Sequence, residues 1–207
     1  MMFTEISAAE HDRQLELHGP LTAAVRRLVE AGISTGADSE TIRRAQVAVE
    51  AIAETLEQQR HDGPRTMRHA VTGRPVVLAD PVIGLRNAIA PPLTVQHDES
   101  GRCWTEFSLG APYEGPPGRV HGGICALVLD HILGEVASDG LRQPRFTGTL
   151  TLKYLRATPL GPLRAEAWVD RVEGIKAFAR GHILDDEGPT VEAEGIFIAP
   201  AWAREAG

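Results

Sequence analysis

The sequence lacks any apolar run that approaches the roughly 20 residues of a membrane-spanning helix. Residues 1–7 also lack the basic start and the apolar stretch of a secretory signal peptide. From these two absences we expect a cytoplasmic protein without a membrane span. At 207 residues, 43% of them hydrophobic, the chain has room for one full globular domain and an appendage.

Cysteine and net positive charge are also scarce. Cys103 and Cys125 are too few for a disulfide framework and have no metal-ligand spacing, so we expect two packing residues in a reducing compartment. The histidines show no metal pattern either. The formal net charge of −7 argues against a nucleic-acid partner, because phosphate backbones are bound by local excesses of lysine and arginine. An anionic small ligand would therefore need a local basic patch.

Residues 1–64 predict a helical extension of two amphipathic helices. Pro20 suits the opening turn of the first helix, which should end near Gly32. Asp38 or Ser39 suits the N-cap of the second helix, which should end at residues 63–64. Each helix has an apolar stripe that must pack on the rest of the chain or on a partner, and we expect a hairpin that covers a sheet edge or a dimer surface. The stripes consist of Leu21, Ala24, Val25, Leu28 and Val29, and of Ile42, Ala45, Val49, Ile52 and Leu56.

Residues 65–90 include two prolines and predict a connector with little regular structure. The pattern changes over residues 91–200. The segment 122–137 is apolar nearly all round, which predicts a buried helix. Segments with alternating apolar residues follow, and because the turns between them are short, neighbouring strands should pair antiparallel. The pattern indicates an α+β fold, with one helix wrapped by a curved antiparallel sheet and a tail at 201–207. The predicted strands are 93–97, 103–109, 146–156, 163–172, 175–184 and 191–199.

An aspartate, Asp130, interrupts the apolar helix. Ionised carboxylates are rarely placed on an apolar surface without a partner or a task, so a structural hydrogen bond and a catalytic role are both open readings. At the start of the same helix, Gly122 and Gly123 leave the first backbone amides uncovered by side chains. Such amides can stabilise the negative oxygen that develops at a reacting carbonyl.

One helix cannot easily supply both groups to one substrate. Gly123 and Asp130 are seven residues apart, which corresponds to roughly 10 Å along a helix. If two chains pack with these helices antiparallel, Asp130 of one subunit lies opposite the glycines of the other, and a symmetric dimer has two equivalent sites. We therefore expect a homodimer, or a dimer of dimers.

Three segments around Asp130 have a recognisable pattern in combination. Residues 114–123, 147–154 and 171–176, together with Asp130, resemble the hotdog-fold acyl-CoA thioesterases of the phenylacetate-degradation (PaaI) and THEM4-like branch. The resemblance covers about residues 91–200, which is more than half of the chain. It implies a hotdog fold with an N-terminal helical extension, and hydrolysis of an acyl-CoA to a free acid and CoA.

The resemblance also implies roles for individual residues. Asp130 acts as general base or nucleophile, the Gly122 and Gly123 amides polarise the carbonyl, and Thr147 orients the attacking water. His121 shapes the loop before the helix. The thiolate of a thioester leaves readily, so no metal or other cofactor is expected.

Basic residues match positions that contact the CoA part of the substrate in the same branch. These are Lys153, Lys176 and Arg180, with Arg156 and Arg171 as weaker additions. The chain departs from the phenylacetate branch at Gly115, where an asparagine often assists at the carbonyl. Glu114 is a minor candidate for such a contact.

Two other functions remain open. A hotdog domain can bind acyl-CoA without turnover, although Asp130 and Thr147 argue against a pure sensor. An enoyl-CoA hydratase or a dehydratase would pair an aspartate with a nearby histidine in a local pattern that the sequence does not show. His131 follows Asp130 directly, and because successive helical residues point about 100° apart, we expect it to face elsewhere and to be structural.

Overall fold

The computed structural model describes residues 4–60 and 67–204. Its central element is a helix against which a six-stranded sheet curves, and a small three-stranded sheet lies outside this domain. The elements are β1 (Thr4–Ile6), α1 (Ala8–Ser34), α2 (Ser39–Glu57), β2 (Met67–His69), β3 (Pro75–Val76), β4 (Gln96–His97), β5 (Cys103–Leu109), a short 3-10 helix (Ala111–Tyr113), α3 (Gly122–Ala137), β6 (Phe146–Tyr154), β7 (Gly161–Glu173), β8 (Lys176–Asp185), β9 (Gly188–Ile198) and α4 (Ala201–Arg204).

Helix α3 has the predicted bounds, but only one side of it is covered. The buried side includes Ile132 and Leu133, and Gly181 and Gly195 of the sheet let Leu133 approach closely. A Cβ at Gly181 would lie 2.7 Å from Leu133 Cδ1. The opposite side, which includes Asp130, stays partly exposed because the sheet forms a single layer around the helix. The predicted buried helix is therefore confirmed on the side that faces the sheet, and Asp130 lies on the other side.

The large sheet has the strand order β4-β5-β7-β8-β9-β6. The predicted antiparallel pairs β7 with β8 and β8 with β9 are confirmed, as is the hairpin of β4 and β5. The predicted pair of β6 with β7 was wrong, since β6 pairs with β9 and β7 pairs with β5. Residues 155–160 cross the end of the sheet, where the Leu155 amide donates to Thr190 O and the Val120 amide donates to Thr158 O.

The N-terminal extension is helical, as predicted, with different limits. Helix α1 begins at Ala8, capped by Ser7, so Pro20 lies inside the helix and not in its first turn. Asp38 caps α2 as predicted, with its side chain accepting from the Thr41 amide, and α2 ends at Glu57. The predicted stop at residues 63–64 lies outside the described residues. Helix α2 buries no residue, so it does not cover a sheet edge within the described chain.

The connector contains more regular structure than predicted. Strand β2 pairs in parallel with β1 of the extension and antiparallel with β3. The extension is fixed to the connector by Thr22 Oγ1, which donates a 2.8 Å hydrogen bond to Leu85 O. The predicted tail begins with the short helix α4. No helix within residues 4–60 and 67–204 combines the length and the apolar character that crossing a bilayer requires.

Candidate active site

Asp130 and Thr147 form the contact on which the site is built. Thr147 Oγ1 donates a 2.8 Å hydrogen bond to Asp130 Oδ1. Asp130 is half-buried on the open side of α3, and Thr147 is exposed on β6, the edge strand of the sheet. The carboxylate therefore has one oxygen held by a hydroxyl group and remains accessible. Such a pair can take a proton from a bound water molecule.

A β-bulge directs Thr147 towards the helix. The register of β6 and β9 shifts between Thr147 and Thr149, so that Thr147 lies opposite the buried Phe197. In an unbulged strand Gly148 would take that place, and Thr147 would lie opposite Ile198 on the other face. The extra residue therefore brings the hydroxyl group to the face that carries Asp130.

At the start of α3, the Gly123 amide is hydrogen-bonded within the chain and the Gly122 amide is available to a ligand. His121 is the N-cap, and its Nδ1 accepts a 3.0 Å hydrogen bond from the Gly123 amide. Among the residues that the structure describes, no acceptor is found for the Gly122 amide. Tyr154 Oη donates a 2.9 Å hydrogen bond to Gly122 O and fixes this glycine from β6. Of the two predicted donors, the Gly122 amide is the one open to a ligand.

The loop before α3 explains the departure at Gly115. A Cβ at Gly115 would lie 2.8 Å from His121 Cα, so a side chain there would displace the capping histidine. Glu114 is also occupied, because its Oε1 accepts a 2.6 Å hydrogen bond from the Gly118 amide. These two residues shape the loop, in which Glu114 has one carboxylate oxygen engaged.

The predicted site residues form two separate groups within one chain. Asp130 and Thr147 lie together, whereas His121, Gly122 and Gly123 lie at the beginning of α3. Gly122 and Asp130 are eight residues apart in sequence, which corresponds to ~12 Å along the helix axis. One chain therefore holds two half-sites, with the carboxylate in one and the amide donor in the other.

The predicted CoA contacts do not form one cluster. Lys153, Lys176 and Arg180 are exposed and lie opposite Glu192, Ile198 and Glu194 of the sheet, respectively. Glu192 and Ile198 are six residues apart on β9, so the two lysines are separated by about 20 Å along the sheet. Lys153 precedes Tyr154 and lies on the face of the sheet away from α3, and Lys176 lies at the end of the sheet that carries Thr147. Their role in CoA binding stays a prediction.

A second acid in α3, Glu135, escaped the sequence analysis. Its side chain is fully buried, whereas that of Asp130 is not. It is surrounded by basic side chains: Arg74 contacts Oε1, His97 Nε2 lies 2.9 Å from Oε1, and His131 Nε2 lies 3.3 Å from Oε2. Burial raises the pKa of Glu135, but together these partners lower it by more than burial raises it. The resulting pKa is about 2. The sequence did contain a signal for Glu135, because it is a second carboxylate within the apolar segment 122–137. The structural role predicted for His131 agrees with this contact.

Neither cysteine belongs to the candidate site. Cys103 and Cys125 are free and buried, which confirms their prediction as packing residues. Burial raises the pKa of the Cys103 thiol to about 12 and also raises that of Cys125. Both thiols are therefore protonated and poorly nucleophilic at neutral pH.

Sequence comparisons with known proteins match part of the chain. The sequence profile described as the Thioesterase superfamily matches residues 117–192. The chain is 36% identical over 95 residues to the acyl-coenzyme A thioesterase THEM4 of Xenopus laevis, a match that covers 44% of this chain and 42% of the frog protein. It is 31% identical over 93 residues to the protein of the same name from Bos taurus, with 43% and 38% covered. The chain therefore spans only about two fifths of these relatives.

A solved structure is similar over most of the chain, including the extension. It is described as a thioesterase superfamily protein, is 34% identical, and superposes with a TM-score of 0.78. The similarity covers 87% of this chain and 94% of that protein. This coverage confirms the hotdog fold and the resemblance noted in the sequence. The chain belongs to the thioesterase superfamily.

Proposed function

We propose that this protein is an acyl-CoA thioesterase that hydrolyses an acyl-CoA to a free acid and CoA. The observation that carries the proposal is the 2.8 Å hydrogen bond from Thr147 to Asp130 on the open side of α3. Two named thioesterases that hydrolyse acyl-coenzyme A share 31–36% identity with this chain over part of their length, which supports the substrate class. Superfamily membership supports the reaction.

In the proposed reaction, water attacks the thioester carbonyl and Asp130 accepts one of its protons. Thr147 holds Oδ1 of Asp130, and its hydroxyl oxygen keeps lone pairs with which it can accept a hydrogen from the water. The carbonyl oxygen becomes negative as the new C–O bond forms, and a backbone amide stabilises it. The C–S bond then breaks, and CoA leaves as a thiolate that takes up the proton. No metal or other cofactor is needed for these steps.

The proposal requires two subunits. The amide of Gly122 is too far along α3 from Asp130 to reach the same carbonyl, because the two lie ~12 Å apart on one helix axis. An antiparallel pair of α3 helices brings Asp130 to the amide of Gly122 of the partner subunit, in two equivalent sites. The partly exposed face of α3 is available for this contact.

The test is thiol release from a panel of acyl-CoAs by wild type and by Asp130→Asn. We expect the variant to lose on the order of 10²-fold to 10⁴-fold in kcat, as for removal of a general base. Asp139→Asn is the matched control, since Asp139 is an exposed acid just after the same helix, at a positive φ that asparagine tolerates. Equal rates for wild type and Asp130→Asn would contradict the proposal. Binding of acyl-CoA by a wild type that releases no thiol would favour the binding-module alternative.

A further inference from the structure

A cavity of about 280 Å³ opens beside Asp130 and Thr147. Its walls come from α3, from the ends of β6 and β9, and from the connector. The connector contributes Val77 and Ile83, both half-buried. The other walls include Gly134 and Ser138 of α3, Leu141 after this helix, and Phe146 and Phe197 of the sheet.

The connector side of this cavity is held rigidly. Asp80 Oδ1 accepts hydrogen bonds from the Val82 amide at 2.7 Å and from the Ile83 amide at 3.0 Å. Val82 is buried and anchors the turn, and α1 holds the next residues through the bond from Thr22 to Leu85 O. Val77 and Ile83 are thus presented by a fixed turn.

The charged groups of the cavity are largely engaged elsewhere. Asp80 accepts from amides of its own turn, and Arg145 donates to Ala137 O. The remaining side chains of the connector and sheet walls are mainly aliphatic or aromatic, whereas Asp130 and Thr147 provide a polar pair. This combination suits a ligand with an apolar body and one reactive polar group.

We propose that this cavity takes the acyl group of the substrate, and that Val77 and Ile83 limit the size of that group. The inference rests on the proposed function. The volume is slightly below the ~300 Å³ at which typical small-molecule pockets begin, so the acyl group is compact: a short aliphatic chain or a single aromatic ring. Because the connector forms one wall of this cavity, we expect long-chain acyl-CoAs to be poorer substrates. The connector therefore sets substrate selectivity.

The experiment compares kcat/KM for a compact and a long-chain acyl-CoA. Truncation in Val77→Ala/Ile83→Ala should raise the ratio of long to compact substrate at least about tenfold, since each methylene in such a pocket is worth roughly 10-fold or more. Val77→Phe should lower the rate for the larger acyl groups. Val71→Ala is the matched control, because Val71 is an 80% exposed connector residue outside the cavity.

Two failures are distinguishable. Hydrolysis by wild type with the same acyl profile in Val77→Ala/Ile83→Ala and in Val77→Phe overturns the acyl assignment and leaves the proposed function intact. Absence of thiol release from any acyl-CoA by wild type contradicts the proposed function, and the acyl assignment with it.

Discussion

Arg74 contacts the carboxylate of Glu135 across 61 residues of sequence, from the turn between β2 and β3 to the last turns of α3. Glu135 is fully buried and is also approached by His97 of β4. The contact fixes the connector to the central helix. Because removal of one partner from a buried ion pair leaves an uncompensated charge, we expect the integrity of this cluster to dominate the acid stability of the fold.

Glu135→Gln should remove a pH-dependent part of the stability. The folded-state pKa of Glu135 is about 2, below the ordinary value of 4.5, so its carboxylate stabilises the fold above pH 4.5 and loses this contribution as the pH falls towards 2. A shift of this size corresponds to about 3 kcal/mol. Urea unfolding at several pH values measures the free energy of unfolding. Between pH 4.5 and 2 this free energy should fall less steeply with decreasing pH in the variant than in wild type.

The control for this measurement is Glu54→Gln on the exposed surface of α2. It should leave the acid limb of the stability curve unchanged. An acid limb in Glu135→Gln that superimposes on that of wild type would contradict the assignment of the buried cluster.

Thr147 can be tested by keeping or removing its hydroxyl group. Thr147→Ser keeps the donor to Asp130 and should retain kcat within a few-fold of wild type. Thr147→Val keeps the shape but loses a hydrogen bond to a charged group, and kcat should fall on the order of 10-fold to 100-fold with little change in KM. Steady-state thiol release measures both constants. A fall of the same size in Thr147→Ser would argue for a packing role instead.

The sequence predicted those parts of the fold that depend on local patterns. Helix α3 has the predicted bounds because its mainly apolar segment begins at Gly122 and extends to Ala137. The predicted pairing of β6 with β7 was wrong. It assumed that a short connection joins paired strands, whereas residues 155–160 cross the end of the sheet.

The site was predictable in its members but not in its geometry. Asp130, Thr147 and Gly122 are readable as motif residues, whereas the bulge that turns Thr147 towards α3 depends on pairing with β9. The capture of the Gly123 amide by His121 depends on a side-chain rotamer. The pairing of Arg74 with Glu135 joins residues 61 positions apart, and no local sequence pattern indicates such a tertiary contact.

Gly148 should be sensitive to substitution because of the bulge. A Cβ at this position would lie 2.8 Å from Ile198 Cδ1 and 3.2 Å from the backbone oxygen of Ile196. Gly148→Val should therefore displace Thr147 from Asp130 and lower kcat by an amount similar to Thr147→Val. Thr149→Val, on the solvent side of the same strand, should leave kcat near the wild-type value. Full activity of Gly148→Val would show that the bulge does not position Thr147.

Gly115→Asn introduces the residue that the phenylacetate branch often has, and we expect it to lower activity. Its Cβ would lie 2.8 Å from His121 Cα and 3.1 Å from His121 Cβ, so the capping histidine and the first turn of α3 must move. Gly118→Asn is the control in the same loop: Gly118 has a φ of +71° that asparagine tolerates, and its Cβ would meet open space. The control should keep wild-type kcat while Gly115→Asn loses at least about tenfold, because misplacement of a carbonyl-binding amide by about 1 Å costs up to 10²-fold. Higher kcat in Gly115→Asn would mean that the loop accommodates the asparagine and uses it at the carbonyl.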